Sequence, residues 1–512
     1  MCGILFSSVA INKEAFLNSL NIMKHRGPTA PLCVYQHENF MLGHNRLSIL
    51  DLDQRSDQPF FSDDGRYVII FNGEIYNYKE LASTYSIQMR TNSDTELLLK
   101  LYIQYGPQML NWLNGMFSFI VLDVQHKSFF VARDRMGVKP LYYNKNGEEF
   151  IFSSEIAPLL PLVHNVSLDQ AAVRQYKKMR CFFNNRTVYN EIKEFPPGYY
   201  YENGEFIKYW ELDYSEKEPP SDEELEFLIR SAVEYRKIAD VEIGSYLSGG
   251  LDSTIITALA GVEHTWTVGF EDYNEFEWSE IAATRYNTIH HPILFDPDRF
   301  LSLARELVIL KKEPLSVPNE VLLYHMTQQA SAKNTVILSG EGADELFFGY
   351  DRIFRWASST TDFDIRAFSD LYTYGSEDDL EIVEDALAPF MKLKSPQKIV
   401  AAFFQQAHLR GLLKRLDSAS MLNSVEARSP FLDYRLIERL AGVDAQYKMK
   451  DGVVKAPLKR IFKDIIPAEI VNRKKVGFPV QLERVLSSEK IEGKTTFDKW
   501  FNFNLNTLGE IL

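Results

Sequence analysis

Short apolar runs that close on glycine or small polar residues punctuate the chain. In the second half, the run 241–247 predicts a buried strand ending in the turn Ser248-Gly249-Gly250. The apolar stretch 254–259 behind that turn predicts the first turns of a helix. The runs 265–270, 290–294 and 335–338 predict three further strands, with a helix-like stretch at 279–286 among them. Strands alternating with helices, and glycine-rich loops at the strands' carboxyl ends, predict a doubly wound parallel sheet. Ser221 and Glu224 have capping-box spacing and open a helix with Leu225, Leu228, Ile229, Ala232 and Val233 on one face. Past residue 350 the pattern is helical almost throughout. In the first half, 43–51 is strand-like, and 68–71 predicts a short buried strand ending at Asn72-Gly73-Glu74. Ser93 and Glu96 again have capping-box spacing, which puts Asp94 in the first turn of a helix running through Leu97, Leu98 and Tyr102. Asn203-Gly204 predicts a hairpin. Residues 212–220 are polar, acidic and proline-bearing, as linkers are, so two domains are expected, 1–211 and 212–512.

Composition narrows the class. At about 100–200 residues per domain, 512 residues allow two to four domains. A hydrophobic content of 45% with 25% charged residues is that of an ordinary globular protein. The formal net charge of -14 argues against nucleic acid as a general partner, without excluding a local basic pocket. No apolar run reaches the roughly 18 residues of a membrane span, and the first residues lack the basic region and cleavage site of a signal peptide. The expectation is a cytoplasmic enzyme. Three cysteines, at 2, 33 and 181, supply neither a disulfide framework nor a tetrahedral zinc site.

Two stretches carry chemistry. With Met1 removed, Cys2 would lie beside a free α-amine whose reference pKa of about 7.7–8.0 suits a base, a self-contained nucleophile. On the residues alone, a buried structural cysteine stays open as the alternative. Arg46 suits a carboxylate, and Asn72 with the Gly73 N–H could form an oxyanion hole. A carboxylate at Asp94 is more often a partner of its helix dipole than a ligand, and both readings stay open. The second stretch is Ser248-Gly249-Gly250-Leu251-Asp252-Ser253, a strand-to-helix turn fit to hold phosphate, although an ordinary glycine turn is also open. It is no Walker A loop, since no Gly-Lys-Ser/Thr follows. Asp252, and Asp344 in Gly340-Glu341-Gly342-Ala343-Asp344, suit Mg²⁺ bound to phosphates. Arg428 and Lys455 could steady phosphate charge, or could be surface cations.

These motifs carry a specific resemblance. Cys2-Gly3-Ile4, His25-Arg26-Gly27-Pro28, Arg46-Leu47-Ser48-Ile49, Asn72-Gly73-Glu74, Ser93-Asp94 and Arg133-Asp134-Arg135-Met136-Gly137 are similar to class II glutamine amidotransferase domains. The Ser248–Ser253 loop, the 339–345 loop, Ser424–Asp433 and the stretch around Lys455 resemble the ATP-pyrophosphatase-like synthetase domain of glutamine-hydrolysing asparagine synthetases. The resemblance implies an N-terminal-nucleophile αββα sandwich followed by the parallel-sheet domain and a helical C-terminal part. It implies Cys2 attacking glutamine, with Asn72 and Gly73 holding the oxyanion. Arg46, the segment Leu47-Ser48-Ile49-Leu50, Glu74 and Asp94 would bind the substrate. For ATP it implies Leu247, Ser248, Gly249, Gly250, Asp252, Ser253, Val268, Ser339 and Gly340, with Asp252 and Asp344 on Mg²⁺. Glu341 and Lys455 would serve an acyl-adenylate. The implied reaction amidates a carboxylate, aspartate first, with ammonia passed through an internal tunnel and AMP and pyrophosphate released. A homodimer is implied as well. The segment Asn472-Arg473-Lys474-Lys475-Val476-Gly477-Phe478-Pro479 looks more like relatives that amidate sugar acids or natural products, which leaves the acceptor open.

Overall fold

The computed structural model describes residues 2–29, 31–473, 480–487 and 489–511. The first half folds as two antiparallel six-stranded sheets packed face to face. One sheet has the order Lys193–Glu194, Tyr142–Asn146, Glu149–Ser153, Cys2–Ser7, Phe40–Arg46, Cys33–His37. The other runs Glu205–Lys208, Tyr199–Glu202, Ser128–Arg133, Gly115–Asp123, Tyr67–Ile75, Phe60–Phe61. Period-two alternation builds the sandwich: Ile4, Phe6, Leu42, Phe150 and Phe152 meet Val68, Ile70, Ile120, Leu122 and Val131 between the sheets. The opposite faces take helices. Ile69, Phe71, Phe117 and Phe119 cover the helix Asp94–Tyr105 through Leu97, Leu98 and Leu101, while Leu5 and Met41 meet Phe16 and Leu20 of Lys13–Ile22. The result is the αββα layering.

The second half holds a five-stranded parallel sheet in the order Ile289–Leu294, His264–Gly269, Ile243–Tyr246, Val336–Leu338, Glu426–Arg428. The chain builds outward on one side of Ile243–Tyr246 and then crosses to the other. The carboxyl ends of Ile243–Tyr246 and Val336–Leu338 therefore flank a topological switch point, where ligands enter such sheets.

Several expected elements shift. The strand over 68–71 does not stop at Asn72: Tyr67–Ile75 pairs with Gly115–Asp123 as far as Ile75 opposite Gly115, so Asn72, Gly73 and Glu74 are strand residues. The strand-like 43–51 stretch ends at Arg46. Neither expected capping box forms. Ser93 caps through the Thr95 N–H, and the Glu96 carboxylate reaches back to the N–H groups of Arg90 and Thr91. Ser221 does accept from the Glu224 N–H, but the Glu224 carboxylate pairs with Arg439. The Asn203-Gly204 hairpin forms, both turn residues having positive φ, 51° and 91°. Sequence reading missed the edge strand Glu426–Arg428, whose three residues carry no apolar run. Arg174 of the first half pairs with Asp379 and Glu381 of the second.

Candidate active site

Two cavities collect most of the residues singled out above. The first, about 30 Å³, is lined by Cys2, Arg46, Leu47, Ile49, Leu50, Gly73, Glu74 and Asp94, with Ser56, Gln58, Phe71, Ser93 and Thr95. Cys2 starts the strand paired with Phe40–Arg46, directly opposite Arg46. Its nitrogen donates to Asn72 Oδ1 at 3.1 Å, and its carbonyl accepts from Arg26 Nε at 3.1 Å, so residue 2 is held on both sides. Burial pushes the Cys2 thiol pKa up, and this outweighs the opposing pull of the Leu47 backbone hydrogen bond and the Arg46 charge. The buried thiol thus needs an adjacent base to become a nucleophile. Asn72 Nδ2 donates to Ser154 Oγ at 3.4 Å. Gly73 lies against the neighbouring strand so closely that a Cβ would meet Phe117 Cα at 2.7 Å.

Arg46 lines this cavity and also ties down the neighbouring loop. Its Nη1 donates to the Asp53 carbonyl at 2.8 Å and to Asp57 at 2.7 Å, and its Nη2 to the carbonyls of Leu50 and Asp51. The guanidinium shapes the 50–57 loop that walls the cavity. Ser48 bonds Thr29 and does not line the cavity. Asp94 accepts the Ile75 N–H at 2.8 Å, and burial, opposed by that bond, raises its pKa to about 6. Glu74 is buried, and its Oε1 has no hydrogen-bond partner among the described residues.

The second cavity, about 300 Å³, opens at the switch point of the parallel sheet. Gly249, at φ +69°, turns the chain after Tyr246 into the helix Leu251–Ala260, and the hydroxyls of Ser248 and Ser253 join at 3.0 Å. Gly340 of the adjacent loop would place a Cβ 3.0 Å from Asp252 Cβ and 3.0 Å from Ser253 N, so the two loops touch. Lys455 ties them together. Its ammonium pairs with Asp252 and, at 2.6 Å, with Asp344, while the residue is only 5% exposed. The surface alternative for Lys455 therefore fails. Burial opposes its charge, but Asp252 and Asp344 outweigh burial and hold its pKa above the ordinary lysine value. Its backbone is left-handed at φ +56°, which swings the side chain under the loops from the start of a helix. The surface alternative for Arg428 fails too, since it is fully buried, but it faces Glu74 and Glu426 and does not line this cavity.

Ser248, Gly250, Asp252, Ser253, Ser339, Gly340, Glu341 and Asp344 all line the second cavity. Leu247, Gly249 and Val268 do not: Leu247 is in the core beneath the loop and Val268 in the core of its strand. Glu341 pairs with Arg415, whose other arm reaches Asn319 Oδ1 at 3.1 Å. Arg473, from the 472–479 segment quoted above, lines this cavity, whereas sequence reading missed Arg415, Asn319 and Glu275, which line it too. No motif announced them, because they arrive on separate helices and loops. Of the 472–479 segment, residues 474–479 lie outside the described residues.

A glutamine amidotransferase domain model matches residues 1–210, and an asparagine synthase model matches residues 224–493. The chain belongs to the asparagine synthase family. It is 29% identical to asparagine synthetase [glutamine-hydrolyzing] 1 of Bacillus subtilis, over 96% of this chain and 89% of that protein. It is 32% identical to a putative asparagine synthetase 2 of Methanocaldococcus jannaschii, over 68% and 76% of the two chains. Asparagine synthetase B of Escherichia coli is 28% identical, over 92% and 79%. Membership makes the chain a glutamine-hydrolysing ligase of the asparagine synthetase type that uses ATP and small-molecule substrates. Among the described residues, no helix is long and apolar enough to cross a membrane.

Proposed function

We propose that this chain converts aspartate to asparagine with ATP, drawing ammonia from glutamine and releasing glutamate, AMP and pyrophosphate. The observation that carries the reading is the buried Lys455 bridging Asp252 and Asp344 beneath a phosphate-type loop, in a chain that also places Cys2 on a small pocket.

In the glutamine half, removal of residue 1 would free the Cys2 amine. Donation to Asn72 Oδ1 orients that nitrogen and leaves its lone pair to take the thiol proton. Cys2 Sγ then attacks the side-chain amide carbon. The Asn72 amide N–H and the Gly73 N–H would hold the developing oxyanion. Collapse breaks the C–N bond, the proton leaves with ammonia, and water cleaves the thioester to glutamate. Ionised Asp94 and Glu74 would receive the substrate ammonium.

In the ATP half, an acceptor carboxylate oxygen attacks the α-phosphorus and the bond to pyrophosphate breaks. Lys455 offsets the charge that collects on the leaving group, and Ser248, Gly250 and Ser253 frame the phosphates with N–H and O–H donors. Asp252 and Asp344 supply carboxylate oxygens from two touching loops, a donor set that fits Mg²⁺ shared with phosphate oxygens. When bound, the ion would neutralise phosphate charge. Among the described residues no cluster of three or more His, Cys, Asp or Glu forms an all-protein metal cage, so nucleotide oxygens would complete the shell. Ammonia then attacks the acyl carbon and AMP departs.

Mass spectrometry of a reaction holding protein, ATP, Mg²⁺, glutamine and aspartate tests this. Asparagine formed in step with AMP is the expected result. Glutamate without AMP or asparagine would overturn aspartate as acceptor and send the search to other carboxylates, including uronic acids.

A further inference from the structure

Arg428 belongs to the synthetase half, on the edge strand Glu426–Arg428, yet its guanidinium reaches into the glutaminase half. Its Nη2 donates to Glu74 Oε2 at 3.2 Å across 354 residues of chain. The rest of the group is fully spent: Nε on Glu426, and Nη1 on the Arg236 carbonyl at 2.9 Å and the Ile238 carbonyl at 2.7 Å. It also lies 5.5 Å from the centre of the Tyr76 ring. The same residue's carbonyl accepts the Ser339 N–H at 2.8 Å, at the head of the loop carrying Gly340, Glu341 and Asp344. Arg428, Glu426 and Glu74 are all buried.

We propose that Arg428 is a positioning residue which completes the glutamine pocket from the other domain, holding Glu74 with one oxygen paired and the other open to the substrate's ammonium. This assignment rests on reading the Cys2 cavity as the glutamine site. A carboxylate in a dry pocket keeps its charge only if a cation faces it. Here burial, and then Asp94, push the Glu74 pKa up, Glu426 adds to that, and Arg428 is the side chain set against them. No other Lys or Arg ion pair to Glu74 is present among the described residues. The glutaminase half by itself thus lacks this counter-ion. Because Ser339 is held by the main-chain carbonyl, a side-chain change at 428 leaves the link to the nucleotide loop in place.

The test uses the full-length enzyme with Arg428→Gln, Arg428→Lys and Glu74→Gln, and the double variant Arg428→Gln/Glu426→Gln. The double variant removes the partner charge, in case the single variant leaves too much buried charge to fold. Glutaminase KM and kcat are measured from pH 6 to 9, and ammonium-driven AMP formation reports the state of the synthetase half. Without Arg428 the main offset to burial and Asp94 is gone, the Glu74 pKa climbs further, and KM for glutamine at neutral pH is expected to rise at least about tenfold, one pK unit being a factor of ten. It should recover as pH rises, with kcat changed far less. Arg428→Lys should restore part of the loss, and adding Arg428→Gln to Glu74→Gln should bring no further rise in KM. An unchanged KM and pH profile in an active Arg428→Gln enzyme would overturn the assignment. So would a parallel fall of both half-reactions at constant KM, the mark of a strut. A wild-type protein that hydrolyses no glutamine would overturn the glutamine-site reading and this assignment with it.

Discussion

Gly349 offers a sharp perturbation of the ATP site, because it has no chemistry of its own. Its N–H donates to the Asp344 carbonyl at 2.8 Å, and its Cα faces the carboxylate of that residue. A methyl group added there would lie 2.8 Å from Asp344 Cγ and 2.5 Å from Lys455 Cε, closer still to Asp344 Oδ1. Ordinary carbon contacts begin near 3.5 Å, so the carboxylate and the ammonium must each retreat by roughly an ångström. They meet at only 2.6 Å, and a shift of that size breaks their pairing. Overpacking of this kind costs about 1–3 kcal/mol, and a misplacement of about 1 Å at a reacting centre costs about 10²-fold in rate. Gly349→Ala is therefore expected to lower ammonium-driven AMP formation by about 10²-fold, with a modest fall in Tm and with Cys2-dependent glutamine hydrolysis retained. Pyrophosphate release, coupled to a phosphate-detecting assay, measures the first quantity, and glutamate release the last. A Gly349→Ala enzyme that makes AMP within threefold of wild type would refute the reasoning, since it would show that the Lys455–Asp344 contact is dispensable.

Cys2→Ala should abolish glutamate release while amide formation from ammonium continues, which parallel product assays would show. Asp94 accepts a substrate ammonium only when ionised, and with its pKa raised to about 6, KM for glutamine should climb as pH falls through 6. Asp94→Asn should lose that limb, and a KM flat from pH 5 to 7 in the wild type would count against the role. Glu155 is half-buried, which by itself raises its pKa, but His25 and Arg26 more than reverse this and lower it to about 2. A carboxylate depressed in the fold stabilises above its unfolded pKa of about 4.3 and loses that contribution as pH falls through the folded value. From the depression, its share is roughly 3 kcal/mol. Urea melts should therefore show stability falling between about pH 4.5 and 2, less steeply in Glu155→Gln, which should start less stable at pH 7.

How much could be read in advance depended on how local the cause was. The Ser248–Ser253 turn, the 339–345 loop and the Asn203-Gly204 hairpin are stretches where glycines and small polar residues at strand ends permit little else, and they were legible. The Asn72-Gly73-Glu74 stretch was legible as chemistry but misplaced as the end of a strand, because the extension to Ile75 comes from pairing with Gly115–Asp123. Lys455 could be recognised only by resemblance. Its own neighbours say surface, and it is buried because Asp252, 203 residues away, and Asp344 draw its ammonium inward.

Periodicity and the glycine-bearing loops thus determined the parallel sheet and the turns at its strand ends, since each follows from the conformational freedom of a few adjacent residues, and they raised Cys2 and the Ser248–Ser253 turn as candidates. Tertiary structure alone decided which charges meet. Arg26 finds Asp417 across 391 residues, Arg415 finds Glu341, and Arg428 finds Glu74 from the opposite domain. Buried charges must be paired wherever the fold brings a partner, and no local pattern in a sequence records which partner that is.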